Sequence, residues 1–343
     1  MDLYTPARLA RVVEDLRDDP AVGTFLVSTF FAEQSISREE AVYFDVLTGK
    51  PRLAPFCSPL VEGQIVESLG YKTNSFTPAY IKDKRVLEDG KAIRRRPGMP
   101  IAAGLDPYAI RLMTIDTETE DQIRMVRRRM EWMASSALRT GTITVTGEKY
   151  PTTVVNFGRD PSLTVTLTGG DIWGSGTDTP LDDLEEYAGL VRDASGASPI
   201  DVIMAQNVFK AFRKNDDVKE LLSGDRSSPS TTIDLAPNSY KYGATFMGNV
   251  GAFRIWVYSD SYVADDGSTQ KYVPDGWLLM VSDQLEGVQH FGGIKDEAYG
   301  FQVTDFFQKS WTQPDPAVRF LMLQSAPLVV PYRINASLSA KVI

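Results

Sequence analysis

The residues that could attack, shuttle protons or grip a metal are few in this chain. His290 is its only histidine and Cys57 its only cysteine. A Ser-His-Asp or Cys-His nucleophilic site would therefore need the fold to carry Ser58 or Cys57 to His290. Neither Ser58 nor Cys57 sits in a nucleophile-elbow pattern, and His290 lies in the apolar, glycine-ended run Val288-Gln289-His290-Phe291-Gly292-Gly293, the context of a packed segment. One histidine cannot make a histidine metal site, and the carboxylates Asp182, Asp183, Glu185 and Glu186 read as the solvated start of a helix. The loop Gly169-Gly170-Asp171-Ile172-Trp173-Gly174-Ser175-Gly176 lacks both a Walker lysine and dinucleotide-fingerprint spacing, which leaves a flexible surface loop. No catalytic, cofactor-binding or metal-ligating residue is assigned, no cofactor is expected, and the chain reads as non-enzymatic.

What remains is charge on surfaces. Arg94, Arg95 and Arg96 form one triplet, and Arg127, Arg128 and Arg129 form another. A guanidinium makes planar, two-bonded contacts with a carboxylate, so both triplets suit ion pairs between subunits better than nucleic acid. The balance of 45 acidic against 36 basic side chains gives a net charge of -9. A high-affinity, sequence-independent DNA binder carries the opposite excess, although local basic patches remain compatible with this total.

The second triplet falls on the stretch that organises the chain. Asp106 suits an N-cap, Pro107 the first helical position and Gly141 a stop, so one helix is expected from 106 to 139. Leu112, Ile115, Thr119, Ile123, Val126, Met130, Met133 and Ala137 recur at steps of three and four and fall on one narrow arc. Asp121, Arg124, Arg128 and Trp132 lie opposite. At ~1.5 Å per residue such a rod spans roughly 50 Å, about the width of a domain.

Ahead of it, Thr5 and Pro6 open a short helix with Leu9, Val12, Val13 and Leu16 on one side, and Phe25 to Phe31 is an apolar cluster. A helix this short cannot stand alone in water, so these residues form either an arm laid on a neighbour or its own body, or an ordinary N-terminal helix in one core. Lys72 to Ile81 and Lys84 to Ile93 alternate in polarity but carry few large apolar side chains. They are expected to pair as a polar hairpin that needs a partner surface.

After the long helix, Thr142 to Thr146 and Thr152 to Phe157 read as a hairpin around Gly147-Glu148-Lys149. Thr179 and Pro180 start a helix whose Leu184, Tyr187, Ala188 and Val191 face inward, Ile200 to Ala205 is a buried strand, and Gly224 to Ser239 is a long loop. Phe253, Ile255 and Val257 alternate in a strand, and Arg319 to Val330 is strand material broken only by Pro327. If that last run packs beside the long helix, the middle of the chain is an insertion between two halves of one domain. The fold class is α+β. With 343 residues, 43% of them hydrophobic, the chain can bury a sizeable core, and a single cysteine excludes an intrachain disulfide. No apolar run approaches a membrane span, so a soluble protein of a reducing cytosol is expected, with no membrane partner.

An arm, a polar hairpin, a long helix and a domain inserted before a returning strand together resemble the Hong Kong 97-type fold of tailed-phage major capsid proteins. Tyr4-Thr5, Ser58-Pro59-Leu60-Val61-Glu62-Gly63, Phe76-Thr77-Pro78-Ala79-Tyr80-Ile81-Lys82, Thr146-Gly147-Glu148, and Asp315-Pro316-Ala317 leading to Gln324-Ser325-Ala326-Pro327-Leu328 narrow this. In that order, and over nearly the whole chain, they resemble the lambda-type major capsid protein E family. The resemblance implies an N-terminal arm at 1–40, an extended loop at 58–97, and a peripheral domain with its spine helix at 41–57, 98–159 and 311–330. It implies an axial domain at 160–310 and 331–343. It also implies self-assembly as pentamers and hexamers into an icosahedral shell around packaged double-stranded DNA, which is contacted non-specifically. Scaffolding, portal and decoration proteins are the implied partners, with assembly in the host cytoplasm and a final place in the virion. Candidate inter-subunit contacts are Leu9, Val12, Phe30, Lys72, Phe76, Tyr80, Arg94, Arg95, Arg96, Arg124, Arg128 and Trp132. Some capsids of this fold join a loop lysine to an asparagine near the return strand; here Lys72, Lys82 and Lys84 are present but 314–323 holds no asparagine, so no such link is expected. The competing readings are an encapsulin-like compartment that encloses an enzyme, and a soluble α+β hydrolase built on His290.

Overall fold

The long apolar arc becomes a helix, α3 (Pro107–Thr140), and Ile115, Thr119, Ile123, Val126, Met130, Met133 and Ala137 are all buried along it. The structure, a computed structural model, describes residues 5–17, 24–47, 71–87, 107–147, 149–223, 240–294, 296, 304–315 and 318–343. The expected cap Asp106, the turn at 48–51, Cys57, Ser58, Arg94, Arg95, Arg96 and the loop at 224–239 lie outside these. Opposite the arc, Asp121 and Arg128 are exposed and Arg124 and Trp132 half-buried, as the spacing predicts.

Elements are numbered in chain order. A seven-stranded mixed sheet runs β7 (Thr164–Thr166), β19 (Ser337–Lys341), β14 (Trp277–Val281), β8 (Asp201–Met204), β11 (Phe253–Tyr258), β10 (Ala244–Val250), β9 (Tyr240–Lys241). Its middle strand β8 is buried along its whole length, the mark of a sheet covered on both faces. One cover is α4 (Pro180–Ser195), which buries Leu184, Tyr187, Ala188 and Val191 and ends on Gly196 in the left-handed conformation. Thr179 precedes it without a side-chain cap bond. The short helices α5 (Gln206–Phe212) and α6 (Asp216–Ser223) follow β8, and β12 (Ser261–Val263) and β13 (Thr269–Lys271) make a hairpin beyond β11.

Two smaller sheets stand along α3. One is β16 (Phe307–Gln313), β17 (Val318–Ser325) and β4 (Ile81–Leu87); the other is β1 (Glu33–Ile36), β15 (Gly287–Phe291) and β18 (Pro327–Pro331). The C-terminal run thus divides at Pro327 between two sheets and packs beside α3, as an inserted middle requires. β5 (Thr142–Gly147) and β6 (Tyr150–Asn156) pair as the expected hairpin.

One expectation is corrected, and one choice left open by the sequence is made. The runs after Lys72 do not pair with each other: β3 (Tyr71–Phe76) pairs with β2 (Val42–Leu47), and β4 pairs with β17. On β17, Leu321 and Leu323 are fully buried, and this register places Arg85 and Asp83 opposite them, turned to α3. That exchange of a polar ladder for burial and ion pairs outweighs a local hairpin. The open choice concerns the N-terminus. The helices α1 (Pro6–Arg17) and α2 (Phe25–Phe30) pack on their own molecule, with Leu9, Phe25, Leu26 and Phe31 fully buried.

Candidate assembly interface

Residues 24–40 lie as a strap across the spine helix and β15. Glu131, fully buried on α3, accepts from the backbone N–H groups of Leu26 (2.8 Å) and Val27 (3.0 Å) and from the Tyr258 hydroxyl (2.8 Å). A carboxylate at a helix start satisfies orphan amides, and here it ties α2, α3 and β11 at one point. Burial pushes its pKa up against the pull of these donors, and the same burial with the adjacent carboxylate raises that of Tyr258. Farther along, β1 pairs parallel with β15, Ser37 N–H donates to Phe291 O (2.8 Å) and Gly293 N–H to Glu39 O (2.9 Å). Glycines make this approach possible: a Cβ on Gly287 would sit 2.2 Å from Phe30 O, and one on Gly293 2.9 Å from Arg38 O.

The sheet β16–β17–β4 has two different faces. Toward α3, Arg85 reaches Asp83 (2.9 Å), Glu118 (2.9 Å) and Asp121 (2.8 Å), while Gln308 donates to Thr119 Oγ1 (2.7 Å). Burial works against the Arg85 charge, but these carboxylates outweigh it and raise its pKa. Away from α3, Trp311 stacks at a tilt on Phe320 (5.4 Å between centroids) and the Lys84 ammonium stands 3.8 Å from the Phe320 ring centre.

His290 is buried on β15, hydrogen-bonded at 2.9 Å to the Tyr332 hydroxyl with the rings edge to face. Burial lowers its pKa, and the ring serves packing. Asp183 accepts from Trp173 Nε1 (2.7 Å), so the acidic helix start is part of the core's edge. The glycine loop is held rather than loose: Ser175 and Thr177 donate to Gly170 O (2.5 and 2.9 Å), Gly176 N–H donates to Asp178 (3.0 Å), and Trp173 is buried.

Of the residues expected at contacts between subunits, Leu9 and Phe30 are inside this chain's own core, Leu9 against Ile115 and Leu321, and so offer no surface. Val12 and Phe76 are half-buried and Tyr80 is exposed, its hydroxyl donating to Gly293 O (3.1 Å). Arg124 pairs with Glu120, Trp132 lies under Arg129, and Arg128 is exposed. Arg129 in turn pairs with Asp265 (2.9 Å) on the β12–β13 turn. Lys72 is on β3, with its side chain outside the described residues. Large apolar side chains that stay open to solvent lie on three separate two-stranded sheets: Tyr43 on β2 is 59% exposed, Val154 on β6 56% and Val263 on β12 70%.

Comparison with known proteins places the chain in a family. The family model "Phage major capsid protein E" matches residues 5–342. The chain belongs to this family. It is 31% identical over 338 residues to the major capsid protein of Escherichia phage lambda, covering 96% of each chain. Among solved structures, the putative capsid protein of an E. coli CFT073 prophage superposes with a TM-score of 0.77 at 22% identity, over 99% of both chains. The SrpI encapsulin of Synechococcus elongatus shares the fold at a TM-score of 0.50 and 11% identity, over 93% of this chain and 86% of that one. This member of the capsid protein E family is a structural shell protein and not an enzyme, with the Hong Kong 97-type α+β fold.

Glu131 and Arg85 escaped the reading of the sequence. Glu131 carried one signal: it stands between Met130 and Met133 beside the apolar arc, where a carboxylate must be either misplaced or bonded. Arg85 carried little, because only Asp83 stands near it in sequence and its other two carboxylates, Glu118 and Asp121, sit on α3, 33 or more residues away.

Proposed function

We propose that copies of this chain close as pentamers and hexamers into an icosahedral phage head that encloses double-stranded DNA. The observation that carries this reading is the match of a capsid family model to residues 5–342. Scaffolding, portal and decoration proteins are its partners, the packaged DNA is touched without sequence choice, and assembly takes place in the host cytoplasm before the protein becomes part of the virion. Within the subunit, we divide the chain into the arm, extended loop, peripheral domain and axial domain outlined above. In this division the seven-stranded sheet belongs to the axial domain, α3 and β17 to the peripheral domain and β4 to the extended loop. Val12, Lys72, Phe76, Tyr80, Arg94, Arg95, Arg96, Arg124, Arg128 and Trp132 remain the proposed contacts.

Electron microscopy of the chain expressed with its scaffolding protein tests the reading: closed shells are expected, and subunits that sediment only as monomers or dimers in the scaffold's presence would overturn it. Nucleic acid inside native particles supports the phage reading over a compartment, whose particles would hold an enzyme instead. Boiling mature particles in denaturant should give an intact monomer band, and a covalent ladder would refute the expectation that no lysine–asparagine link forms.

A further inference from the structure

The sheet face turned away from α3 is buried at its Phe307–Gln324 end, and beyond that end the described residues leave its side chains partly open. Antiparallel register places Lys309, Met322 and Lys84 in one row and Trp311, Phe320 and Val86 in the next. Alternation then puts Lys82 on the same face, two residues before Lys84. Lys82 and Lys84 are exposed, Val86 is 41% exposed, and Trp311, Phe320 and Met322 are half-buried. Lys309 is neutralised by Asp296. Lys82 and Lys84 instead lie over rings, Lys82 at 5.3 Å from the centre of Tyr80 and Lys84 over Trp311 and Phe320. Among the described residues neither lysine meets a carboxylate within ion-pair distance. An ammonium over an aromatic ring keeps its donors free for a further partner, and the rings beside it gain by leaving water.

We infer that this lysine-and-aromatic face is covered, in the shell, by an acidic surface of a second copy of the chain; the inference rests on the shell reading above and says which surface the contact uses. Charge complementarity selects the occupant. The chain has a net charge of -9, so a neighbouring copy presents mostly negative surface to a basic patch. α4 is one such surface, with Asp182, Glu185, Glu186 and Asp193 exposed along it. The apolar rows supply the buried centre of the contact, and the lysines fix its orientation.

Two measurements on the full chain test this. Acylation of lysines by an amine-reactive ester is read by mass spectrometry on free subunits, on empty shells and on DNA-filled heads. Lys82 and Lys84 are expected to be protected in empty shells. Protection only in filled heads assigns the face to nucleic acid and overturns the inference, as does equal reactivity in free subunits and shells. Carbodiimide coupling of shells built from unlabelled and heavy-nitrogen chains should join Lys82 or Lys84 to carboxylates in mixed heavy–light pairs. Pairs of one label only mean that the chain covers its own face, which also overturns it. The charge reversal Lys82→Glu with Lys84→Glu should cut shell yield by about tenfold or more, since like charges would then meet. Subunit melting should not change, and Lys84→Arg should retain yield. If shells form normally with both reversals, this contact is wrong while the shell reading stands; if no shell forms from the natural sequence, both fail.

Discussion

Glu131 shows how much one side chain can hold. Replacing it by alanine leaves two backbone amides and the Tyr258 hydroxyl without their acceptor in the interior. Each such group costs about 1–3 kcal/mol, so Glu131→Ala should lose about 3 kcal/mol or more in denaturant unfolding, with Glu131→Gln losing less because it keeps one oxygen. His290 makes an opposite kind of statement. Its pKa is depressed in the folded chain, so the unfolded chain takes up the proton first as pH falls. Stability from this group is complete above the unfolded value of about 6.5 and declines as pH drops below it toward the folded value. Because it is the only histidine, His290→Gln should flatten the slope of the unfolding midpoint between about pH 7.5 and 5.5. The packed character of His290 was legible from its apolar neighbours. The burial of Glu131 was not read, because a glutamate in a helix is ordinarily solvated and only its place beside the methionines marks it.

At the scale of elements, local pattern carried far and pairing did not. The long helix was expected at 106–139 and spans Pro107–Thr140, and the inward face of α4 was expected residue for residue, since both rest on periodicity within one stretch. Which strand β4 joins depends on Leu321 and Leu323, more than two hundred residues later, and no spacing within 72–93 encodes that. The C-terminal end of the spine is another long-range construction. Arg159 Nη1 donates to Arg139 O (3.1 Å) and Ser339 Oγ (3.2 Å), and Nη2 to Ser337 Oγ (2.9 Å), closing the helix end with a cation. Burial takes its pKa down to about 10, still protonated at neutral pH. The strap gives the sharpest test at this scale. Gly287→Ala would drive a Cβ into the Phe30 carbonyl and the Phe31 ring, both of them fixed by the core. The cost should be about 1–3 kcal/mol. Hydrogen exchange at residues 33–36 should quicken, while exchange in β8 and β14 stays slow.

At the scale of the whole molecule, α3 touches the strap, the hairpin β5–β6 and strands β17, β18 and β19. The chain's resemblance to a shell protein was legible because short matches occurred in order from Tyr4 to Leu328, whereas the sequence left open what the N-terminal segment packs on, and at 25–31 its apolar residues found a home on the same molecule. That home is built late in synthesis. Phe31 O accepts from Gln289 Nε2, 258 residues farther along, whereas Glu131 lies only 105 from Leu26. At about 5–20 residues per second, a ribosome needs roughly 13–50 seconds to travel from the first to the second half of that contact. Throughout that interval Phe25, Leu26 and Phe31 have no finished groove to enter. The longer that interval lasts, the longer the apolar side chains of the first segment stand open to sibling chains.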